Sequence, residues 1–336
     1  MSIPTAALTL AQYAEQSNEP LIKEVTFSIL ENDSPLSDIP LYTRPTQKIN
    51  GARFVGNLPS VSWRQVNEST TVTSGTASPY QEQAYIASNA FDIDRFILQD
   101  MNAVGNPLAV QVDAWLKSFV YDYTDKFFNN NHLSGDQDAP VGIRERLDSA
   151  TTWGTNSACK FTCSAVDMTS SGMTAATAGN FFEYLDQALD ELGSPDGNGC
   201  VIYTNRNLRR KMNRAIKMMG AGGGFEMTKD AYDRRVMLYR NAVLRTIGLK
   251  ADQSTEIITN TEDTAGANGS STYTSFYVVK YGEGFMSGWQ FDSLAPVFAG
   301  WRSDEPTHYR MAFDWATGLL QAHTRCIARG YDVKVA

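Results

Sequence analysis

The sequence is 336 residues long, 42% apolar and 20% charged, with a formal net charge of −8. That length allows about two domains with buried cores. A pI near 5.0 and a mean hydropathy of −0.32 exclude a protein whose whole surface grips nucleic acid, and leave room for one local basic face. No run of about eighteen apolar residues occurs, which excludes a membrane-spanning helix. The four cysteines, Cys159, Cys163, Cys200 and Cys326, are too few and too scattered for a disulfide framework. Cys159 and Cys163 are spaced C-x₃-C, but no second Cys or His pair follows at zinc-finger distance, so they read as structural thiols. The start, MSIPTAALTLAQYAEQ, lacks the cationic end and apolar run of a secretory signal. The expectation is therefore a chain that is cytosolic when made, where the glycosylation-like triplets at Asn67 and Asn268 carry no weight.

In chain order, residues 5–18 read as a short helix and Pro20 starts another, with Leu21, Ile22, Val25 and Ile29 on one side. That stripe has nothing nearby in sequence to pack on, which suits an arm lying on its own domain or on a neighbour. From Pro40 to Phe96 no helical period appears. Phe54, Val61, Trp63 and Val66 suggest an extended strand, and YQEQAYIASNAFDID (80–94) its return partner. Between them lies NESTTVTSGTASP (67–79), free of aromatic residues. An isolated two-stranded hairpin is marginal in water, and so long a loop is uncommon unless functional. The pair reads as a projecting hairpin ordered by a partner surface.

Residues 104–142 then organise the chain. Pro107 suits a first helical position, and Leu108, Val112, Trp115, Phe119, Tyr123 and Phe127 recur every three or four residues on one face. Asn129, Asn130, Asn131 and Gly135 mark the stop. Such a helix is roughly 35 Å long. After a loop into a small helix or strand edge (135–150), AATAGNFFEYLDQALDELG (175–193) places Phe181, Phe182, Leu185, Leu189 and Leu192 inward. CVIYTN (200–205) is a short buried strand ending in Asn205, a helix N-cap candidate. Arg206 to Met219 is a second helix with Leu208, Met212, Ala215 and Met219 inward. The glycine run 220–224 opens a mobile segment. Residues 239–247 and 256–259 read as strands, 265–271 as a Gly/Ser turn, and SFYVVKY (275–281) as the strongest strand. Residues 309–315, 319–326 and 328–335 read as closing strands, with Gly318 turning between the first two. The fold class is α+β.

No catalytic pattern is met. There is no G-x-S-x-G, H-E-x-x-H, Walker A or strand-linked G-x-G-x-x-G. The glycine run has no lysine at phosphate-binding spacing, and His132, His308 and His323 each stand alone. Asp186, Asp190 and Glu191 read as a solvated helix face. Arg206, Arg209, Arg210, Lys211, Arg214 and Lys217 follow one another without an acidic residue. Helical spacing spreads these charges over more than one side, which favours ion pairing in an assembly over a nucleic-acid reading face. No catalytic, cofactor or metal residue is assigned.

The order of these segments resembles the major capsid proteins of tailed bacteriophages, with the Hong Kong ninety-seven capsid fold. LPSVSWRQVNEST (58–70) and SPYQEQAYIASNAFDIDRFIL (78–98) resemble the strands of that family's extended E-loop. Residues 104–131 resemble its spine helix, and APVGI (139–143) the turn after it. Helix, CVIYTN and helix resemble the start of its axial domain; LYRNAVLRTIG (238–248), FYVVKYGEGFMSGWQ (276–290) and WATGLLQAHTRCIARG (315–330) resemble later strands.

The resemblance implies an N-terminal arm (1–39), an extended E-loop region (40–97), a peripheral domain with a long spine helix (98–155 and 296–325) and an axial domain (156–295 and 326–336). It implies a loop near the capsomer centre at 220–235 and one near threefold axes at 299–308. It also implies a structural, non-enzymatic protein that self-assembles into hexamers and pentamers of an icosahedral shell around double-stranded DNA. That shell is built in the host cytoplasm and kept in the virion, and the DNA is contacted without specificity. A portal and a separate scaffold protein are implied partners, the arm beginning almost at Met1. No lysine lies between Lys48 and Lys117, so crosslinking from the E-loop tip is not expected, and noncovalent contacts, with or without a cement protein, would hold the shell. The same fold would also serve an encapsulin-like compartment enclosing a cargo enzyme.

Overall fold

The computed structural model describes residues 34–54, 59–75, 77–99, 107–220, 225–229, 235–262, 272–292, 295–303 and 307–335. The expected N-terminal helices, most of the glycine run and the 265–271 turn lie outside these residues.

Two sheets and one separate hairpin make up the β-structure of the described residues, with helices packed on the sheets. In the first sheet β1 (Leu41–Thr43) lies parallel to β11 (Met286–Gln290), β11 is antiparallel to β13 (His308–Gln321), and β12 (Ala295–Trp301) pairs further along β13. On the other side of β13, β4 (Tyr85–Asp94) pairs over its whole length. Met311, Phe313 and Trp315, two residues apart, are buried on one face of β13. The helix Pro107–Asn129 lies across that face, and its three-and-four spacing meets the sheet's two-residue spacing ring by ring. Trp115 stacks on Phe313 at 4.3 Å, and Phe119 and Tyr123 reach Trp315 at 5.5 and 5.9 Å. At the helix's other end Phe128 meets Tyr203 at 5.3 Å and Tyr277 at 5.5 Å. One helix therefore spans both sheets.

Those tyrosines belong to the second sheet. Its order is β5 (Lys160–Thr162), β14 (Ile327–Lys334), β10 (Tyr273–Lys280), β6 (Cys200–Asn205), β9 (Ala242–Ile247), β8 (Arg235–Tyr239) and β7 (Phe225–Lys229). Every residue of β6 is buried, as expected for a central strand covered on both faces. The Asn205 side chain ends it and caps the next helix by accepting from the Leu208 N–H at 2.7 Å. That helix, Arg206–Met219, lies beside the helix Ala175–Glu191, which starts at a Thr174–Thr177 capping box.

The third piece is a two-stranded hairpin, β2 (Lys48–Phe54) with β3 (Ala77–Gln83), paired to neither sheet. The expected strand through Val61, Trp63 and Val66 is not there: residues 59–66 form no strand, and those side chains stand in solvent. The return strand divides at Ala84. Its first part closes the hairpin and its second, β4, enters the first sheet.

Other expectations shift for packing reasons. Gly318 does not turn the chain; β13 runs straight through it, and a Cβ there would meet the Trp289 indole at 2.5 Å. The single strand expected at 239–247 is a hairpin turned at Arg240, whose φ is +53°. Residues 256–259 form no strand, Glu256 making an isolated bridge to Leu249. Met219, expected inward, is exposed. β11 falls inside the range 156–295 expected for the axial domain, yet pairs in the first sheet with β13.

Candidate assembly surfaces

The hairpin displays what the sheets conceal. Residues 59–74 are exposed throughout, including Val61, Val66, Val72 and Trp63, whose side chain is 97% exposed. The tip has its own polar frame. The Gln65 N–H donates to Glu68 Oε2 at 2.9 Å, Arg64 Nη1 donates to the Glu68 carbonyl at 3.1 Å, and Thr73 Oγ1 donates to the Ser60 carbonyl at 2.8 Å. At Gly51 the chain passes under the Tyr80 ring, where a Cβ would lie 2.5 Å from ring atoms. A large apolar side chain left in water forgoes about 1.5–3 kcal/mol of burial.

The hairpin's root is fixed to the first sheet. The Arg44 N–H donates to the Gln290 carbonyl at 2.8 Å, Trp289 Nε1 donates to the Thr46 carbonyl at 3.2 Å, and the Ala84 N–H donates to the Gln47 carbonyl at 2.8 Å. Glu82 turns inward and meets Arg146, of the short helix Ile143–Asp148, through two contacts of 2.6 and 3.0 Å. Burial, the largest influence, opposes the Arg146 charge; the Glu82 carboxylate leads the neighbours that favour it, and together they raise the guanidinium's pKa.

The far end of the first sheet carries a second exposed apolar group: Phe96, Ile97 and Trp301. Beside it Asp92 accepts from Arg310 Nε at 2.7 Å and Nη2 at 2.9 Å, and from Arg302 Nη1 at 3.1 Å. These bonds hold the Asp92 carboxyl below the usual carboxylate range, Arg310 contributing most.

The third surface is the basic helix. Its charges are less dispersed than expected. Leu208, Met212 and Ala215 take the buried side, which leaves Arg206, Arg210, Arg214 and Lys217 in one exposed stripe. Arg209 turns aside to Asn213 and the Met237 sulfur. The neighbouring helix shows an acidic stripe, with Glu183 and Asp190 exposed, while Asp186 accepts from Tyr239 and pairs with Arg240. Two cavities flank the basic helix. One of 310 Å³ is lined by Arg209, Arg235 and Arg245 among others, and one of 340 Å³ by Ile216, Phe225, Met227 and Met237 among others. Neither lining joins a nucleophile to a base.

The histidines lie apart: His132 by Tyr85 and Trp153, His308 by Thr307, His323 by Phe285. All four cysteines are buried and free, and burial pushes the Cys159 thiol up to about 11. Among the described residues no three His, Cys, Asp or Glu side chains gather as a metal site would need, and no helix is long and apolar enough to cross a membrane. The sequence reading missed Glu82 and Arg146. Each looks like an ordinary surface charge, and 64 positions separate them.

No protein-family model and no curated protein matches the sequence. Solved structures do match in fold. The capsid of a native GTA particle aligns with a TM-score of 0.59 at 10% identity, over 90% of this chain and 90% of that one. The holo-SrpI encapsulin complex of Synechococcus elongatus PCC 7942 aligns at 0.57 and 8% identity, over 89% and 86%. The capsid of Myoviridae phage XM1 aligns at 0.54 and 7%, over 99% and 94%. The α+β arrangement described above is thus the fold these capsid and encapsulin chains share.

Proposed function

We propose that this chain is the major capsid protein of a tailed bacteriophage, a structural subunit that assembles into hexamers and pentamers of an icosahedral shell around DNA. The observation that carries the proposal is the free hairpin. A two-stranded ribbon with exposed Val61, Trp63, Val66 and Val72 is marginal in water, and becomes ordinary once a second copy covers it. An obligate interface buries on the order of 2,000–5,000 Å², ample for that purpose. Head-to-tail contacts between copies close into rings when the rotation allows. The likeness in fold to the GTA and XM1 capsids supports the reading.

In this reading residues 1–39 form the arm, 40–97 the E-loop region, 98–155 and 296–325 the peripheral domain built on the first sheet, and 156–295 and 326–336 the axial domain built on the second. The strand β11 goes with the peripheral part. The subunit is structural and catalyses nothing. A separate scaffold protein and a portal are partners of the assembly, with or without a cement protein, and the exposed arginine stripe suits nonspecific phosphate contact with packaged DNA. Assembly takes place in the host cytoplasm and the subunit remains in the virion.

The likeness to the SrpI encapsulin supports a second reading, a protein compartment around an enzyme cargo. Portal and terminase genes beside this one favour the phage head; a cargo-enzyme gene favours the compartment.

Electron microscopy and sedimentation of the purified chain, with and without scaffold, test the shell. Capsomers or closed shells are expected, and a persistent monomer with an ordered 67–79 loop would remove the reading. Deleting residues 67–79 should leave the subunit folded and abolish closed shells. Normal shells from that variant would show that the hairpin is no interface.

A further inference from the structure

Beyond its root the described residues of the hairpin have no backbone pairing to either sheet. The side-chain bonds of Gln81 to Asn50, of Arg64 and Gln65 to Glu68, and of Thr73 to Ser60 all close within it. A backbone pivot alone would leave its direction loose. Seven residues of strand reach about 23 Å at roughly 3.3 Å per residue. A swing of about 10° at the root therefore moves the strands' far end by roughly 4 Å, more than a packed interface tolerates.

Glu82 sits two residues beyond the pivot at Ala84, and it is the buried residue of β3. Its carboxylate takes both Arg146 Nη atoms, at 2.6 and 3.0 Å, the two-point grip that fixes orientation as well as distance. Arg146 is itself held from three directions. Its Nε donates to the Val141 carbonyl at 3.3 Å, its Nη1 also donates to Gln321 Oε1 at 3.2 Å, and its guanidinium lies 5.6 Å from the Trp153 ring centre. Gln321 ends β13 and donates through Nε2 to Thr155 Oγ1 at 3.0 Å.

The other charges of the same short helix point elsewhere. Asp148 pairs with Lys160 of β5 at 2.7 Å and accepts from Arg329 of β14 at 3.2 Å, and Arg144 lies 3.9 Å from Glu262. Ile143–Asp148 thus stands between the hairpin and the second sheet, bonded to both.

We propose that Glu82 and Arg146 are positioning residues that set the direction of the hairpin, and that the helix Ile143–Asp148 links that direction to the second sheet. The clasp is a property of the single chain and draws on the shell reading only for its consequence, which is that every copy presents its hairpin at one angle.

Because all four native cysteines are buried, two introduced thiols can be labelled alone. Spin labels on Thr70→Cys and Gln187→Cys, both exposed positions, report the distance from hairpin tip to second-sheet helix by double electron–electron resonance. Labelled chains are diluted into unlabelled protein. The parent should give one narrow distance distribution. Glu82→Gln should widen it at least twofold, with the circular dichroism of the body unchanged. Arg146→Lys keeps the charge but loses the planar fork and should widen it less; it decides the matter if Glu82→Gln fails to fold. Distributions as narrow as the parent's in the folded variants would overturn the proposal. A narrow parent distribution from a chain that never assembles would keep the clasp and remove the shell reading.

Discussion

In the second sheet β6 buries all six of its residues and β10 six of its eight; in the hairpin, Glu82 is the buried residue of β3, and 59–74 stand in solvent. Both regions are paired β-structure with good hydrogen bonds. What separates them is layering. The second sheet has two helices beside it and the end of the long helix on Tyr203 and Tyr277, so its strands carry continuous apolar runs. Among the described residues no layer of this chain lies over the hairpin. Hydrogen bonds add little net stability beyond those made with water, and burial does most of the rest. One region supplies its own burial; among the described residues the other does not.

Mutations can sharpen that contrast. The largest effect belongs to the covered sheet. Phe276→Ala, at a fully buried position between Phe161 and Phe181, should destabilise the subunit by about 3–5 kcal/mol in urea unfolding; a loss below about 1 kcal/mol would mean the second sheet is not the stabilising core. Gly318→Ala comes next. The added methyl meets the Trp289 indole, and overpacking of this kind costs about 1–3 kcal/mol. Trp289 also holds the Thr46 carbonyl at the hairpin's root, so hydrogen exchange around residues 44–47 should rise with it; unchanged exchange there would separate the root from the sheet.

Acid should act between these extremes. Asp92 has its pKa lowered by its arginine bonds, Arg310 first and Arg302 after it. Its contribution is complete above the ordinary carboxylate value near 3.8 and is lost as pH falls through the lower folded value. Below about pH 4 the β4–β13 edge should loosen before the second sheet does, visible as earlier exchange in 85–94. Simultaneous loosening of both sheets would argue against a separate edge. The smallest stability effect falls on the hairpin: Trp63→Ala should change subunit stability by less than about 0.5 kcal/mol while lowering the yield of closed shells. A large stability loss would mean that Trp63 is already covered within its own chain.

Much of the second sheet could be read directly because its signals are local. The run CVIYTN, the Asn205 cap and the inward Leu208, Met212 and Ala215 follow one another along the chain, and each appears where the spacing puts it. The spine helix was legible for the same reason. Gly318 was misread because glycine is both a turn residue and a space-giving one, and the deciding neighbour, Trp289, is on another strand. The hairpin's strands were displaced toward Trp63 because apolar alternation normally marks a buried face, and here those residues face away from the chain altogether. The Glu82–Arg146 clasp has no local signal of any kind. The resemblance to a known fold supplied the architecture; it did not supply these side-chain meetings.

The pairing of β4 with β13 also imposes an order on synthesis. Asp92 and Arg310 stand 218 positions apart, so the hairpin and β4 leave the ribosome long before the strand that anchors them exists. At about 5–20 residues per second that interval is roughly 10–40 seconds, during which a strand edge waits unpaired. Such edges invite pairing with other chains. The Ser- and Thr-rich stretch 67–79 beyond Trp63 places polar residues where a nascent chain is most easily caught by its neighbours.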